Sequence, residues 1–151
     1  VTTPDIMARF RHSFRYFNTF GGNPVSCAAA MAVLDELQDR ALQANALRIG
    51  RSAHERLSAL ADRYEAIGDV RQTGMVFGAE FVTDRDTKEP ASDYADRVVN
   101  AMRARGILLS KLGRHKNTLK IRPPMPFGAE HLDLLIETLD DVMSQTPLVA
   151  R

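Results

Sequence analysis

The chain reads as an α+β protein, a largely antiparallel sheet covered by helices, on three observations. First, apolar residues recur at steps of three or four across residues 42–64, the period of an amphipathic helix. Second, the texture then changes to short β-rich runs bounded by Gly, Pro and Asn between residues 67 and 122. Third, Leu132, Leu135, Ile136, Leu139, Val142 and Met143 return to helical spacing near the end. The sheet is therefore expected between about residues 67 and 122, with a helical connection before it.

Taking the elements in order, Val1-Thr2-Thr3 ends a strand or loop, and Thr3-Pro4-Asp5 supplies an N-cap, a first-turn proline and a first-turn acid for a short helix to about Arg11. Asn23-Pro24 starts a second helix that runs to about Leu37. Its alanines and near-continuous apolar positions predict burial on more than one side. The third helix, residues 42–64, buries Leu42, Ala46, Ile49, Ala53, Leu57, Leu60 and Tyr64. Its Arg48, Arg51, Glu55, Arg56 and Arg63 form a solvated face, with His54 at the border.

Residues 67–71 make a short strand, Gln72-Thr73-Gly74 a turn, and residues 75–82 a strand with Phe77, Ala79 and Phe81 on one face and Gly78 and Glu80 on the other. Glu80 has no second acid or histidine near it in sequence, so it reads as a strand-face residue and not a general base. Residues 83–92 are a surface loop. A helix over residues 93–105 ends at Gly106 in a left-handed cap. Residues 107–110 then read as a strand, 112–117 as a polar turn, and 118–122 as the partner strand, stopped by Pro123-Pro124. His115 lies in that turn without a partner at metal-ligand spacing, and no metal site is expected. The last helix spans about residues 129–143.

The 151 residues are 44% apolar with a formal charge of +1. Acids and bases are interspersed, so neither a nucleic-acid footprint nor a polybasic membrane anchor is expected. No apolar run is long enough to span a bilayer, and the start lacks the order of a signal peptide. Cys27, alone among alanines, reads as a small buried hydrophobe that forms no internal disulfide. A cytoplasmic location is expected.

Two places invite a ligand. At Thr19-Phe20-Gly21-Gly22-Asn23-Pro24 the glycines permit close backbone approach, and the free N–H groups of a helix start favour an anion such as phosphate. Local physics alone also allows a plain turn and cap there. In Leu119-Lys120-Ile121-Arg122, a period of two puts both cations on one face, which suits either an anion or a protected sheet edge.

Residues 16–28, Tyr-Phe-Asn-Thr-Phe-Gly-Gly-Asn-Pro-Val-Ser-Cys-Ala, resemble the phosphate-binding segment of class III pyridoxal-phosphate aminotransferases, the ornithine and γ-aminobutyrate type. The likeness continues, in the family's order, through Asn45-Ala46, Ile49-Gly50, residues 67–71, 74–80 and 106–109, and residues 119–124. It implies the C-terminal small domain of a fold-type I transferase (residues 41–151), preceded by the end of the large domain and a connecting helix (residues 1–40). It further implies pyridoxal 5'-phosphate held by Thr19, Phe20 and Gly21, in a homodimer where this segment serves the neighbouring subunit. Lys120 and Arg122 are the implied substrate-binding residues. Lys120 stands where the family commonly has a carboxylate-binding arginine. Lysine is a point charge without the two-pronged guanidinium, so the amine or amino-acid substrate stays open.

The resemblance implies a cofactor-bearing lysine upstream of the phosphate segment. Lys88, Lys111, Lys116 and Lys120 all lie downstream of it, so the chain alone is expected to be inactive. Residues 108–110, 115–117 and 119–125 are especially similar to the branch with phospholyases of phosphorylated amines, which makes phosphate elimination the alternative to amino transfer. A non-catalytic α+β interaction domain, docking through the apolar second helix, is the alternative of another class.

Overall fold

The computed structural model describes residues 2–148. They fall into two compact units that divide between Glu36 and Leu37.

The first unit holds helix α1 (Pro4–Ser13) and most of helix α2 (Pro24–Asp39). Pro4 occupies the first turn of α1, where its missing N–H costs nothing. Behind α1 the Phe10 ring stacks on Phe14 at 5.4 Å and meets Tyr16 edge-on at 5.9 Å. The expectation that α2 is buried on several sides is corrected: none of its residues is buried, and Cys27 is exposed. An alanine-rich surface permits close packing, but burial needs a second layer laid across it, and helical spacing alone does not supply one.

The second unit carries the core. Helix α3 (Leu42–Arg63) turns Leu42, Ala46, Ile49, Ala53, Leu57 and Leu60 inward, the predicted stripe. Its opposite face is solvated as expected, with Arg48, Arg51, Glu55 and Arg63 exposed; from that side Arg56 pairs with Asp133 and Arg63 with Asp140, joining α3 to helix α5 (Ala129–Gln145). After α3 the Arg85 guanidinium donates to the Ala61 and Tyr64 carbonyls, supplying donors to the last turn.

The sheet has strands β1 (Ile67–Thr73), β2 (Val76–Phe81), β3 (Ser110–Leu112) and β4 (Thr118–Lys120), in the order β1-β2-β4-β3 and antiparallel throughout. A two-residue turn joins β1 to β2, with Gly74 at φ +53 as its first residue, a conformation that suits glycine. The β1 register slips between Ile67 and Asp69, a bulge at Gly68 on the sheet's outer strand. Phe77, Ala79, Phe81, Leu119 and Ile121 face the helices and meet Ile49, Leu57, Met102 and Leu139 in one core. Tyr94 on helix α4 (Ser92–Ala104) packs edge-on against Phe81 at 5.0 Å.

One strand is displaced from its predicted place. Gly106, at φ +83, ends α4 with Gly106 N–H donating to Arg103 and Ile107 N–H to Met102, both at 3.0 Å. This paired cap turns the chain sharply. Residues 107–109 therefore run outside the ladder, and pairing starts only where Ser110 meets Lys120. Leu112, expected in the turn, closes β3 opposite Thr118. Glu80 receives the Arg71 guanidinium at 2.5 Å, so it is a cross-strand ion-pair partner.

Candidate functional site

In the first unit the turn before α2 is organised by two asparagines. Asn18 Oδ1 accepts the N–H groups of Phe20 and Gly21, each at 3.1 Å, while its Nδ2 donates to the Tyr16 hydroxyl. Asn23 Oδ1 accepts the N–H groups of Val25 at 2.9 Å and Ser26 at 3.3 Å, and its carbonyl takes that of Cys27. The expected free donors of the first helical turn are therefore corrected. Pro24 has no N–H, and the next two are spent on the Asn23 side chain. Of the predicted contacts, the Phe20 and Gly21 N–H groups converge on one acceptor, Asn18 Oδ1.

Among the described residues the Thr19 hydroxyl and the Gly22 N–H have no hydrogen-bond partner, and Gly22 holds φ +75 with open space where a Cβ would stand. A hydroxyl and backbone N–H groups are the donors a phosphate takes, and residues 18–24 carry no carboxylate. The donor set fits the phosphate of pyridoxal phosphate. A signal for this arrangement lay in the sequence: Asn two or three residues before an N–H that needs a partner is the signature of an Asx turn.

In the second unit the predicted cations do meet. Leu119 and Ile121 are buried in the core, while Lys120, half-buried, and Arg122, exposed, line a cavity of about 670 Å³. Ser110 lies opposite Lys120 in register and joins the same wall, with Ile107 and Leu109 beside it. Sequence reasoning missed the other wall, made by Pro123, Pro124, Phe127 and His131. The Phe127 and His131 rings lie 5.4 Å apart, and Gly128 N–H donates to His131 Nδ1 at 3.3 Å. Lys120 also borders a second hollow, of about 470 Å³, beside the Arg71–Glu80 pair. The cavity's outer wall is a loop with three prolines, Arg122-Pro123-Pro124-Met125-Pro126-Phe127. Its carbonyls at Met125 and Phe127 accept both hydrogens of the Asn45 amide, at 2.8 and 3.0 Å.

Away from the cavity, two tyrosines have perturbed hydroxyls. Burial pushes Tyr94 up to about 12. Tyr64 is raised by burial and by its bond to Asp140, whose carboxyl is lowered chiefly by that same bond, 2.5 Å long. Tyr64 braces the end of α3 against α5 and Tyr94 packs α4 on the sheet, and neither lines the cavity.

Comparison with known proteins gives a consistent answer. The family model for aminotransferase class-III matches residues 1–143. Alanine–glyoxylate aminotransferase 2 homolog 2, mitochondrial, of Arabidopsis thaliana is 40% identical over 96% of this chain and 30% of its own length. Ethanolamine-phosphate phospho-lyase homolog 1 of Caenorhabditis elegans is 38% identical over 85% of this chain and 28% of its own length. A phospholyase from Arthrobacter, solved in complex with phosphoethanolamine, superposes with a TM-score of 0.89 at 38% identity, covering 97% of this chain and 35% of that one. The chain thus spans about a third of the length of the proteins it matches.

The mitochondrial designation of the plant relative overturns the cytoplasmic expectation. A lone cysteine reports only that no internal disulfide can form, and composition carries no address. The cofactor of the matched family is pyridoxal 5'-phosphate. A family model spanning nearly every residue, together with structural agreement across sheet and helices, makes the chain a member of the class III aminotransferase family.

Proposed function

We propose that the full protein is a pyridoxal-phosphate-dependent aminotransferase, moving an amino group from an amine or amino acid to a keto acid or aldehyde. In this reading the chain provides a phosphate-contacting segment at Thr19, Phe20 and Gly21 and a substrate-contacting wall at Lys120 and Arg122. Family membership over residues 1–143 carries the reading. The gathering of Lys120 and Arg122 on one cavity supports it locally.

The cofactor, when bound, supplies an electron sink for the carbanion at the substrate's reacting carbon. The Thr19 hydroxyl would hold the cofactor phosphate together with the Phe20 and Gly21 N–H groups, which Asn18 Oδ1 gathers in this structure. Lys120 and Arg122 attract an anionic group of the substrate, and Ile107, Pro123 and Phe127 supply an apolar surface beside the charged pair. No lysine precedes Thr19 in the chain. The cofactor-bearing lysine then belongs to an upstream portion, the chain alone is inactive, and the phosphate segment serves the neighbouring subunit of a homodimer.

A second reading is phosphate elimination from a phosphorylated amine. Lys120 in place of a carboxylate-binding arginine, with Arg122 beside it, suits a phosphate oxyanion, which a point charge holds without two-pronged geometry. The likeness to the phosphoethanolamine-bound phospholyase favours the same reading.

The test uses the full-length protein loaded with pyridoxal phosphate. Amino transfer predicts a visible cofactor band that bleaches with an amine donor and returns with a keto acid. Stoichiometric release of inorganic phosphate from a phosphorylated amine, without lasting bleaching, installs the second reading. Absence of any visible band on cofactor addition refutes both.

A further inference from the structure

Among six loop residues, 122–127, three are prolines and have no N–H to give. Such a segment holds few hydrogen bonds of its own, and the one formed within it runs from Phe127 N–H to the Pro124 carbonyl at 3.0 Å. With half of its N–H groups missing, it is most readily fixed from outside by a group that donates to its carbonyls. Asn45, half-buried in the first turn of α3, is that group. Its Nδ2 gives one hydrogen to the Met125 carbonyl at 2.8 Å and the other to the Phe127 carbonyl at 3.0 Å. The amide cannot flip without loss, because Arg48 Nη2 donates to Asn45 Oδ1 at 2.7 Å. Among the described residues, these two bonds are the only long-range hydrogen bonds that reach residues 122–127.

The held loop is one wall of the cavity lined by Lys120 and Arg122, and Arg122 is its first residue. We propose that Asn45 is a positioning residue whose two hydrogen bonds fix residues 122–127 as the cavity's outer wall and so set how bulky a substrate the cavity admits. The proposal rests on the substrate-site reading of Lys120 and Arg122. Asn45 touches no reacting atom and acts through the Met125 and Phe127 carbonyls.

The variant is Asn45→Asp in the full-length, cofactor-loaded protein. It keeps the side-chain shape but turns an acceptor toward two acceptors. Asn45→Ser, which keeps a hydroxyl donor, is the second variant if the first folds poorly. Arg56→Ala, which removes an α3–α5 ion pair away from the loop, controls for lost stability. Two readouts are taken: amide hydrogen exchange at Phe127 and Gly128, whose N–H groups are bonded to the Pro124 carbonyl and to His131 Nδ1, and KM and kcat for a series of primary amines lengthened one methylene at a time.

The expected result is about tenfold faster exchange at those two amides while Phe81 and Leu139 are unchanged. A rise of about tenfold in KM for the preferred amine, with kcat within about threefold, and a flattened preference along the series complete it. Arg56→Ala leaves exchange at those amides and the preference as in the parent. Unchanged exchange in the Asn45 variants overturns the clamp. Faster exchange with an unchanged preference overturns its role in selectivity and leaves the aminotransferase reading standing. A parent protein that turns over no amine in the series overturns that reading, and the selectivity claim with it.

Discussion

Gly50 on α3 faces the β1–β2 turn so closely that a Cβ there would stand 2.1 Å from the Gly74 carbonyl oxygen and 2.3 Å from Gln72 Nε2. Gly50→Ala tests whether this contact or helix propensity governs the site. Propensity alone favours alanine by about 0.8–1 kcal/mol in a helix interior. Ordinary van der Waals contact begins at 3.4 Å, so the hairpin must retreat by more than an ångström. Overpacking of this kind costs about 1–3 kcal/mol. The displaced turn also loses the Gln72 Nε2 bond to the Gly74 carbonyl, now 3.0 Å, at about 0.5–1.5 kcal/mol. The net expectation is a destabilisation of about 0.5–3.5 kcal/mol, read as a lower urea midpoint at unchanged slope. Adding Gln72→Ala recovers little, because the nearest obstacle is backbone. A Gly50→Ala protein as stable as the parent refutes the reasoning, since it would mean the turn yields at no cost.

Three other outcomes are expected. Tyr64→Phe removes the bond to Asp140 and costs about 0.5–1.5 kcal/mol near neutral pH. Asp140 titrates below its ordinary 3.8 in the fold, so its contribution is complete above that value and is lost as pH falls through the lowered one. Tyr64 titrates above its ordinary 10.0, so its contribution is present below pH 10.0 and lost as pH rises through the raised value; denaturation curves across pH should show the parent and Tyr64→Phe converging at both extremes. Ala41, at φ +47 before α3, sits where glycine is favoured, and Ala41→Gly should raise stability by about 0.5–1 kcal/mol in thermal melts. Thr19→Ala in the full-length protein should weaken pyridoxal-phosphate binding by about 1–3 kcal/mol, and an unchanged cofactor Kd would remove Thr19 from the site.

The parts of the fold that could be read from sequence were those where one period governs. The stripe from Leu42 to Leu60 and the alternation Phe77, Ala79, Phe81 each reflect a local geometry that writes itself into spacing. The β3 error has the opposite cause. Residues 107–109 look like a strand because they are apolar and extended, but strand identity depends on a partner, and the cap at Gly106 delays pairing until Ser110. The same distinction separates the two halves of the cavity. Lys120 and Arg122 are two residues apart and share a face by alternation alone. Asn45 reaches the loop from 80 residues away, and no periodicity carries that information. At residues 18–26 the glycines and proline suggested donors held in reserve, whereas Asn18 and Asn23 already occupy four of them.

The bulge at Gly68 bears on how this chain behaves in concentrated solution. An outer strand of seven residues offers a row of unpaired backbone groups on which a second molecule could extend the sheet. On β1 the register slip interrupts that row near its start, and Asp69 and Arg71 place opposite charges along it 3.3 Å apart. At the far side of the sheet, β3 is only three residues long, and its Lys111 is drawn to Asp96 on α4 at 2.5 Å. Neither margin presents a long, flat, uncharged strand. The sheet is guarded at both ends against runaway β-stacking between molecules.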